Sequence, residues 1–216
     1  NSNPSTRTFD VAYEDISGKA IVTYSLNADP IPRYRIWDGS SWSPENSVRT
    51  DLCTGETRWI SMTSKPRSNE ISAIFDDANS DMCFQVWDGK NWIFDQMIEN
   101  NSLSVTYRNF AIAYESIAGR ALIAWSNSTW TGPIYNIWNG TNLTYYLNPT
   151  KAMSVLRGPT TDVATIRWIR LSSDPTSNRI IYASLDQSSD INLLEWSGTA
   201  WGARTGGADY DGSVEL

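Results

Sequence analysis

Apolar and polar positions along the chain follow strand periods rather than helical ones. The segments "AIVTY" (residues 20–24) and "ALIAW" (121–125) are apolar at nearly every position, which predicts strands covered on both faces. Shorter apolar runs surround them, and no segment sustains the 3.6-residue period of an amphipathic helix. The turns "SG" at 17 and "AG" at 118, with the loops "KPRSN" and "DPTSN", place Gly, Pro or Asn where the backbone must reverse. The pattern is that of consecutive hairpins.

The hairpins repeat in two registers. At an offset of 101 residues, "FDVAYEDISGKAIVTYS" (9–25) lies on "FAIAYESIAGRALIAWS" (110–126), and the register continues to Trp37 and Trp138. At an offset of 109, "RWISMTSKPRSNEI" (58–71) lies on "RWIRLSSDPTSNRI" (167–180), continuing to Trp92 and Trp201. The chain is therefore two copies of a unit of about 100 residues, each holding two related modules. The modules lie near residues 9–50, 58–100, 109–150 and 167–205, with first strands beginning at Phe9, Trp59, Phe110 and Trp168. The eight-residue difference between the offsets places an insertion between Leu143 and Arg167. Four strands per module, a period near 50 and two-sided burial together predict an all-β fold. The expected form is a single β-propeller-like domain over residues 1–216, a ring of four-stranded blades.

Each module ends in a tryptophan hairpin: "RYRIWDGSSW" at 33, "CFQVWDGKNW" at 83, "IYNIWNGTNL" at 134 and "NLLEWSGTAW" at 192. Asp-Gly and Asn-Gly predict two-residue type I′ turns with positive φ at both central positions. Side-chain alternation then puts Arg35, Trp37 and Trp42 on one face, the two Trp lying diagonally. The same holds for Trp87 with Trp92 and for Trp196 with Trp201. Two readings stand open. The pairs pack one blade on the next, or one Trp of each pair is an exposed platform on which a sugar ring stacks, with Arg35 as a donor. Trp37, Trp87, Trp138 and Trp196 are the expected buried members. Trp42, Trp92 and Trp201 are the candidate platforms, because Leu143 replaces this Trp in the third module.

Repeats of the form W-D-G-x-x-W near 50 residues resemble the blades of tachylectin-type and fucose-lectin-type propellers and the W-D-G repeats of exported microbial surface proteins. The resemblance spans about residues 9–202. It implies a non-catalytic glycan-binding module, or else a structural subunit or spacer of an extracellular filament or cell-surface assembly. Fucose lectins place an Arg, a Glu and a Trp around the sugar between blades, so the resemblance adds Glu14, Glu115, Arg58 and Arg167 as candidate ligand residues. The Glu pair belongs to the first type of module and the Arg pair to the second.

Composition narrows the chemistry further. A net charge of −7 and a pI near 4.6 exclude the basic field that nucleic-acid binding needs. Glycans, other surface proteins and self-association remain as partners, and no apolar run is long enough for membrane insertion. Histidine is absent, which removes Ser-His-Asp and Cys-His catalysis and the usual nitrogen ligand of zinc. No cofactor is expected. Sialidase propellers also carry Asp-rich turns, but their Arg cluster and Tyr nucleophile cannot be assembled from this chain. Asp76, Asp77, Asn79 and Asp81, echoed by Asp186 and Asp190, form an oxygen-rich loop that reads as a solvated turn before it reads as a Ca²⁺ site.

Cys53 and Cys83 are too few for a disulfide scaffold or a tetrahedral metal site; a single Cys53–Cys83 disulfide is the expectation, against two buried thiols. Low charge with abundant Asn and Trp points to an exported protein, extracellular or at the cell surface. The opening "NSNPSTRTF" reads as a processed end. Sequons at Asn100, Asn127, Asn139 and Asn142 are no more than the abundance of Asn, Ser and Thr generates by chance. Residues 1–8 and the terminal "GGADYDGSVEL" lie outside the repeats, as candidates for closing the ring or adding a strand to a neighbour.

Overall fold

All regular structure in the computed structural model, described over residues 6–27, 29–48, 52–103, 106–127, 133–144, 165–189 and 191–202, is β. Sheet 1 has the order β1 (Phe9–Tyr13), β2 (Ala20–Tyr24), β3 (Arg33–Trp37), β4 (Asn46–Ser47). Sheet 2 runs β5 (Thr57–Ser64), β6 (Ile71–Asp77), β7 (Met82–Trp87), β8 (Trp92–Glu99). Sheet 3 holds β9 (Phe110–Tyr114), β10 (Ala121–Trp125) and β11 (Ile134–Trp138). Sheet 4 holds β12 (Ile166–Ser173), β13 (Ile180–Asp186) and β14 (Ile191–Trp196). Every pairing is antiparallel between strands adjacent in sequence. Each sheet holds one copy of the tryptophan hairpin.

The details differ from the sequence reading in three ways. Among the described residues the fourth strand is full only in sheet 2; those of sheets 3 and 4 carry single bridges, Trp138 to Leu143 and Trp196 to Trp201. The first strands of sheets 2 and 4 begin at Thr57 and Ile166, ahead of Trp59 and Trp168, because β-bulges leave Arg58 and Arg167 out of the ladder. The hairpin register is also shifted: each tryptophan pair is directly opposed, not diagonal, across a four-residue loop. Asp38 accepts the backbone N–H groups of Ser40 and Ser41, both at 2.8 Å, and Asp88 and Asn139 do the same for their loops. This side-chain cap replaces the second positive φ, so that only Gly39, Gly89 and Gly140 adopt it.

Residues 1–106 and 107–216 form two units. In the first, Ala12 and Ile21 of sheet 1 pack on Met62, Ile71, Ala73, Phe75 and Trp87 of sheet 2, flanked by Tyr34, Ile36 and Trp92. In the second, Ala113, Leu122, Tyr135 and Ile137 of sheet 3 pack on Ile180 and Trp196 of sheet 4. Each fully buried Ile or Leu there contributes about 1.5–3 kcal/mol. The same hydrogen bonds fix both interfaces. Ile60 N–H donates to Arg7 O (3.1 Å) as Ile169 N–H does to Arg108 O (3.2 Å), and the Ser64 and Ser173 hydroxyls donate to Tyr13 O and Tyr114 O at 2.6 Å. Between the two sequence alternatives for the cysteines, the structure has the disulfide: Cys53, ahead of β5, is bonded to Cys83 in β7.

Candidate functional site

The candidate residues fall into four places. Glu14 and Glu115 follow the first strand of their units and are buried, at 2% and 1% exposure. Glu14 accepts the Trp87 indole N–H (2.8 Å) and the Ser17 hydroxyl; Glu115 accepts the Trp196 indole N–H (2.7 Å) and two Arg120 N–H groups, at 2.7 and 2.8 Å. Arg120 also donates to Gly198 O. These carboxylates tie the tryptophan hairpin of one sheet to the first turn of its neighbour. That is anchoring chemistry, and it occupies the oxygens a sugar would need.

Trp92 and Trp201 are half-buried within their units. Trp92 meets Tyr34, Phe75 and Trp87 at ring-centroid distances of 6.1, 6.1 and 5.7 Å; Trp201 meets Tyr135, Tyr182 and Trp196 at 5.5, 6.1 and 5.5 Å. Edge-on aromatic clusters of this kind stabilise packing beyond the area they bury. Of the three candidate platforms only Trp42 is exposed, at 49%. Trp37 behind it, at 5.5 Å, is half-buried where full burial was expected, while Trp87, Trp138 and Trp196 are buried.

Register explains what surrounds Trp42. Phe9, Val11 and Tyr13 lie opposite Tyr24, Val22 and Ala20, which lie opposite Arg33, Arg35 and Trp37, so all share one face of sheet 1. The other face, with Ala12, Ile21 and Ile36, is the one packed on sheet 2. Arg35 is exposed and donates to Ser43 O at 3.3 Å, beside Trp42. The Tyr24 hydroxyl donates to Glu45 at 2.5 Å, and burial together with that carboxylate raises its pKa above the ordinary tyrosine value. Arg35 and Trp42 are thus brought together, as read from the sequence. Arg58 and Arg167 are not part of this cluster: Arg58 pairs with Glu56 at 3.3 Å, and the Arg167 guanidinium lies 5.1 Å from the Tyr107 ring centroid.

In the oxygen-rich loop, Asp77 accepts the backbone N–H groups of Gly55 (2.7 Å), Asn79 (2.8 Å) and Asp81 (3.1 Å), so its oxygens brace the turn. Asp190 lies outside the described residues, and among them no cluster of three His, Cys, Asp or Glu could hold an ion. Sequence reasoning missed the apolar Phe9, Val11 and Tyr13 row. Alternation places Phe9, Val11 and Tyr13 on one face, but Ala12 is apolar too, so the pattern does not say which face is outward.

No family model matches the chain, and no curated protein matches it by sequence. Solved structures do match it. A lectin from Burkholderia pseudomallei superposes with a TM-score of 0.65 at 9% identity, covering 94% of this chain and 56% of the lectin. The fungal lectin of Aleuria aurantia, described as a six-bladed β-propeller with a novel fucose recognition mode, gives 0.53 at 12% identity, covering 93% and 61%. The Hadza microbial sialidase Hz136 gives 0.51 at 11% identity, covering 90% and 44%. The chain therefore spans less than two thirds of each of these proteins. The likeness shows the fold: a β-propeller type built of small antiparallel sheets, four here against six blades in the fungal lectin.

Proposed function

We propose that the chain is a non-catalytic glycan-binding module of an exported or cell-surface protein, with Trp42 as the stacking platform and Arg35 as the neighbouring donor. The observation that carries this reading is the exposed indole of Trp42 on the same face as an exposed guanidinium. An indole face takes the apolar C–H side of a pyranose, while a guanidinium N–H reaches ring hydroxyls. Likeness in fold to two lectins, one described by its fucose recognition, supports a neutral sugar as ligand. A disulfide supports an oxidising, exported setting. Among the described residues no helix is long and apolar enough to cross a membrane.

A glycan array followed by calorimetric titration of the best hit tests this. Wild-type protein should bind, and Trp42→Ala should lose most of the affinity while unfolding at the same urea concentration. An array without hits, or undiminished binding by Trp42→Ala, rejects the platform.

A further inference from the structure

Repeat-equivalent faces in this chain do not share the same fate. The face of sheet 1 that carries Phe9, Val11 and Tyr13 exposes them at 57%, 51% and 59%. In sheet 3 the equivalent residues are Phe110, Ile112 and Tyr114, with Ile123, Trp125, Asn136 and Trp138 beside them, and all are buried. Sheets 2 and 4 differ in the same way. Trp59, Ser72, Ile74, Phe84 and Val86 share a buried face of sheet 2, whereas their counterparts in sheet 4 include Trp168, Ile181 and Leu193, exposed at 41%, 47% and 47%. Each type of face thus occurs once closed and once open.

The open faces are not ordinary solvated surface. An antiparallel sheet with one wet face places polar residues on it, yet β1 places Phe, Val and Tyr at each outward position. Apolar side chains exposed in a row on one sheet face mark an interaction site more than scattered single ones do. Charge separates open faces from closed ones. The closed faces carry Asn136, Ser61 and Val86 where the open ones carry Arg35, Arg170 and Glu195. The sheet 1 face offers Arg33 and Arg35 with Glu45, and the sheet 4 face offers Arg170 with Glu195, which also meets Arg179 at 3.2 Å, so each open face can meet both signs on the other.

We infer that the occupant of each open face is a second copy of this chain, the sheet 4 face of one copy docking on the sheet 1 face of the next. Such a contact is heterologous: it closes into a ring or continues as a filament, according to the rotation between copies. The inference is independent of the glycan reading except at Trp42, which both occupants would cover, so a bound sugar and a docked copy exclude one another there. The third module already carries Leu143 at the Trp42 position in a closed face, so docking does not require an indole.

Sedimentation velocity on the full chain, from micromolar to hundreds of micromolar, tests the pairing. Wild-type protein should assemble with rising concentration. Val11→Asp and Ile181→Asp should each weaken assembly by at least about 100-fold, since each buries an unpaired carboxylate. Mixed in equal amounts, the two variants should form a 1:1 dimer and nothing larger, each supplying the face the other has lost. Tyr13→Glu and Leu193→Glu replace them should either fail to fold, judged by circular dichroism and the intact disulfide. A monomeric wild type at every concentration overturns the inference, as does assembly of Ile181→Asp alone, which would mean that sheet 1 pairs with itself. Trp42→Leu should keep assembly and lose sugar, while Val11→Asp should keep sugar and lose assembly. Failure of either reading therefore leaves the other standing.

Discussion

The two units hold their sheets together with one anchor built in two ways. In the first, Glu14 is buried against the Trp87 indole N–H and a Ser17 hydroxyl, and Lys19 two residues on is exposed. In the second, Glu115 meets the Trp196 indole N–H and the fork of Arg120, while Ala118 stands where Ser17 would be. Loss of the hydroxyl and gain of the guanidinium go together, because a buried carboxylate must have its lone pairs met one way or the other. The shared part, carboxylate to indole, is what fixes one sheet on the next. The differing part decides how each unit responds to mutation and pH.

The largest effect tests the shared part. Replacing Trp87 or Trp196 by Ala removes a buried indole and leaves a buried Glu short of a donor, which should cost about 3–5 kcal/mol in urea unfolding. Trp37→Ala should cost distinctly less, since Trp37 is half-buried on an open face. Equal losses at the three positions would mean that neither burial nor the anchor sets the energetics.

Next comes a pH effect confined to the first unit. Asp76 is buried in β6, with one oxygen accepting the Ser102 hydroxyl at 2.6 Å and the other, among the described residues, without a partner. Burial, with a smaller push from the Asp77 and Asp81 charges, raises its pKa from 3.8 to about 7, although the Ser102 bond acts the other way. The neutral form is thus the one the fold favours. Its stabilisation is complete below about pH 4 and is lost as pH rises through 7, at most about 4 kcal/mol. Leu185 takes this position in the second unit. Hydrogen exchange followed by mass spectrometry at pH 4.5 and 7.5 should show residues 1–106 losing protection at the higher pH, corrected for intrinsic rates, and Asp76→Asn should flatten the difference.

The disulfide sharpens the same contrast. It closes a separation of 30 residues in the first unit, and both cysteines of the chain lie there. Cys53→Ala with Cys83→Ala should destabilise that unit by about 3.5 kcal/mol on the chain-entropy estimate. Protection of residues 107–216 should be unchanged; a parallel loss would show that the units unfold as one.

Much of this architecture was legible in the sequence because repeats amplify weak signals. Two offsets and a tryptophan hairpin stated four times mark the modules and the hairpin order of strands within each, while a count of two cysteines leaves Cys53 with Cys83 as the one possible disulfide within the chain. The hairpin register was misread by direct use of the Asp-Gly rule, since the Asp side chain caps two N–H groups and needs no positive φ of its own. Site residues were less legible. Arg35 and Trp42 share a face by simple alternation, but nothing local says that Glu14 points inward while Arg35 points out. That difference is set by which face of a sheet meets a neighbour, a property of the packed units and not of any one strand. The open row of Phe9, Val11 and Tyr13 became visible only when its burial was compared with that of Phe110, Ile112 and Tyr114.

The smallest effect returns to the part of the anchor that differs. Arg120 is about one third exposed, and its partner Glu115 is buried. Truncation to Ala takes away two charge-assisted hydrogen bonds and the donor to Gly198 O, leaving Glu115 with the indole alone. Breaking one side of a buried pair is costly, but the exposure of the guanidinium admits water to the vacated place, so about 2–3 kcal/mol is expected in the second unit. Lys19→Ala at the equivalent position should change stability by less than about 0.5 kcal/mol, because Lys19 is exposed. Restoring the other solution, Ala118→Ser with Arg120→Lys, should recover part of the loss by giving Glu115 the hydroxyl that Glu14 uses. If that double variant is no more stable than Arg120→Ala, the two anchors are not interchangeable, and the Arg120 contact to Gly198 O, absent from the Ser17 arrangement, is what the second unit depends on.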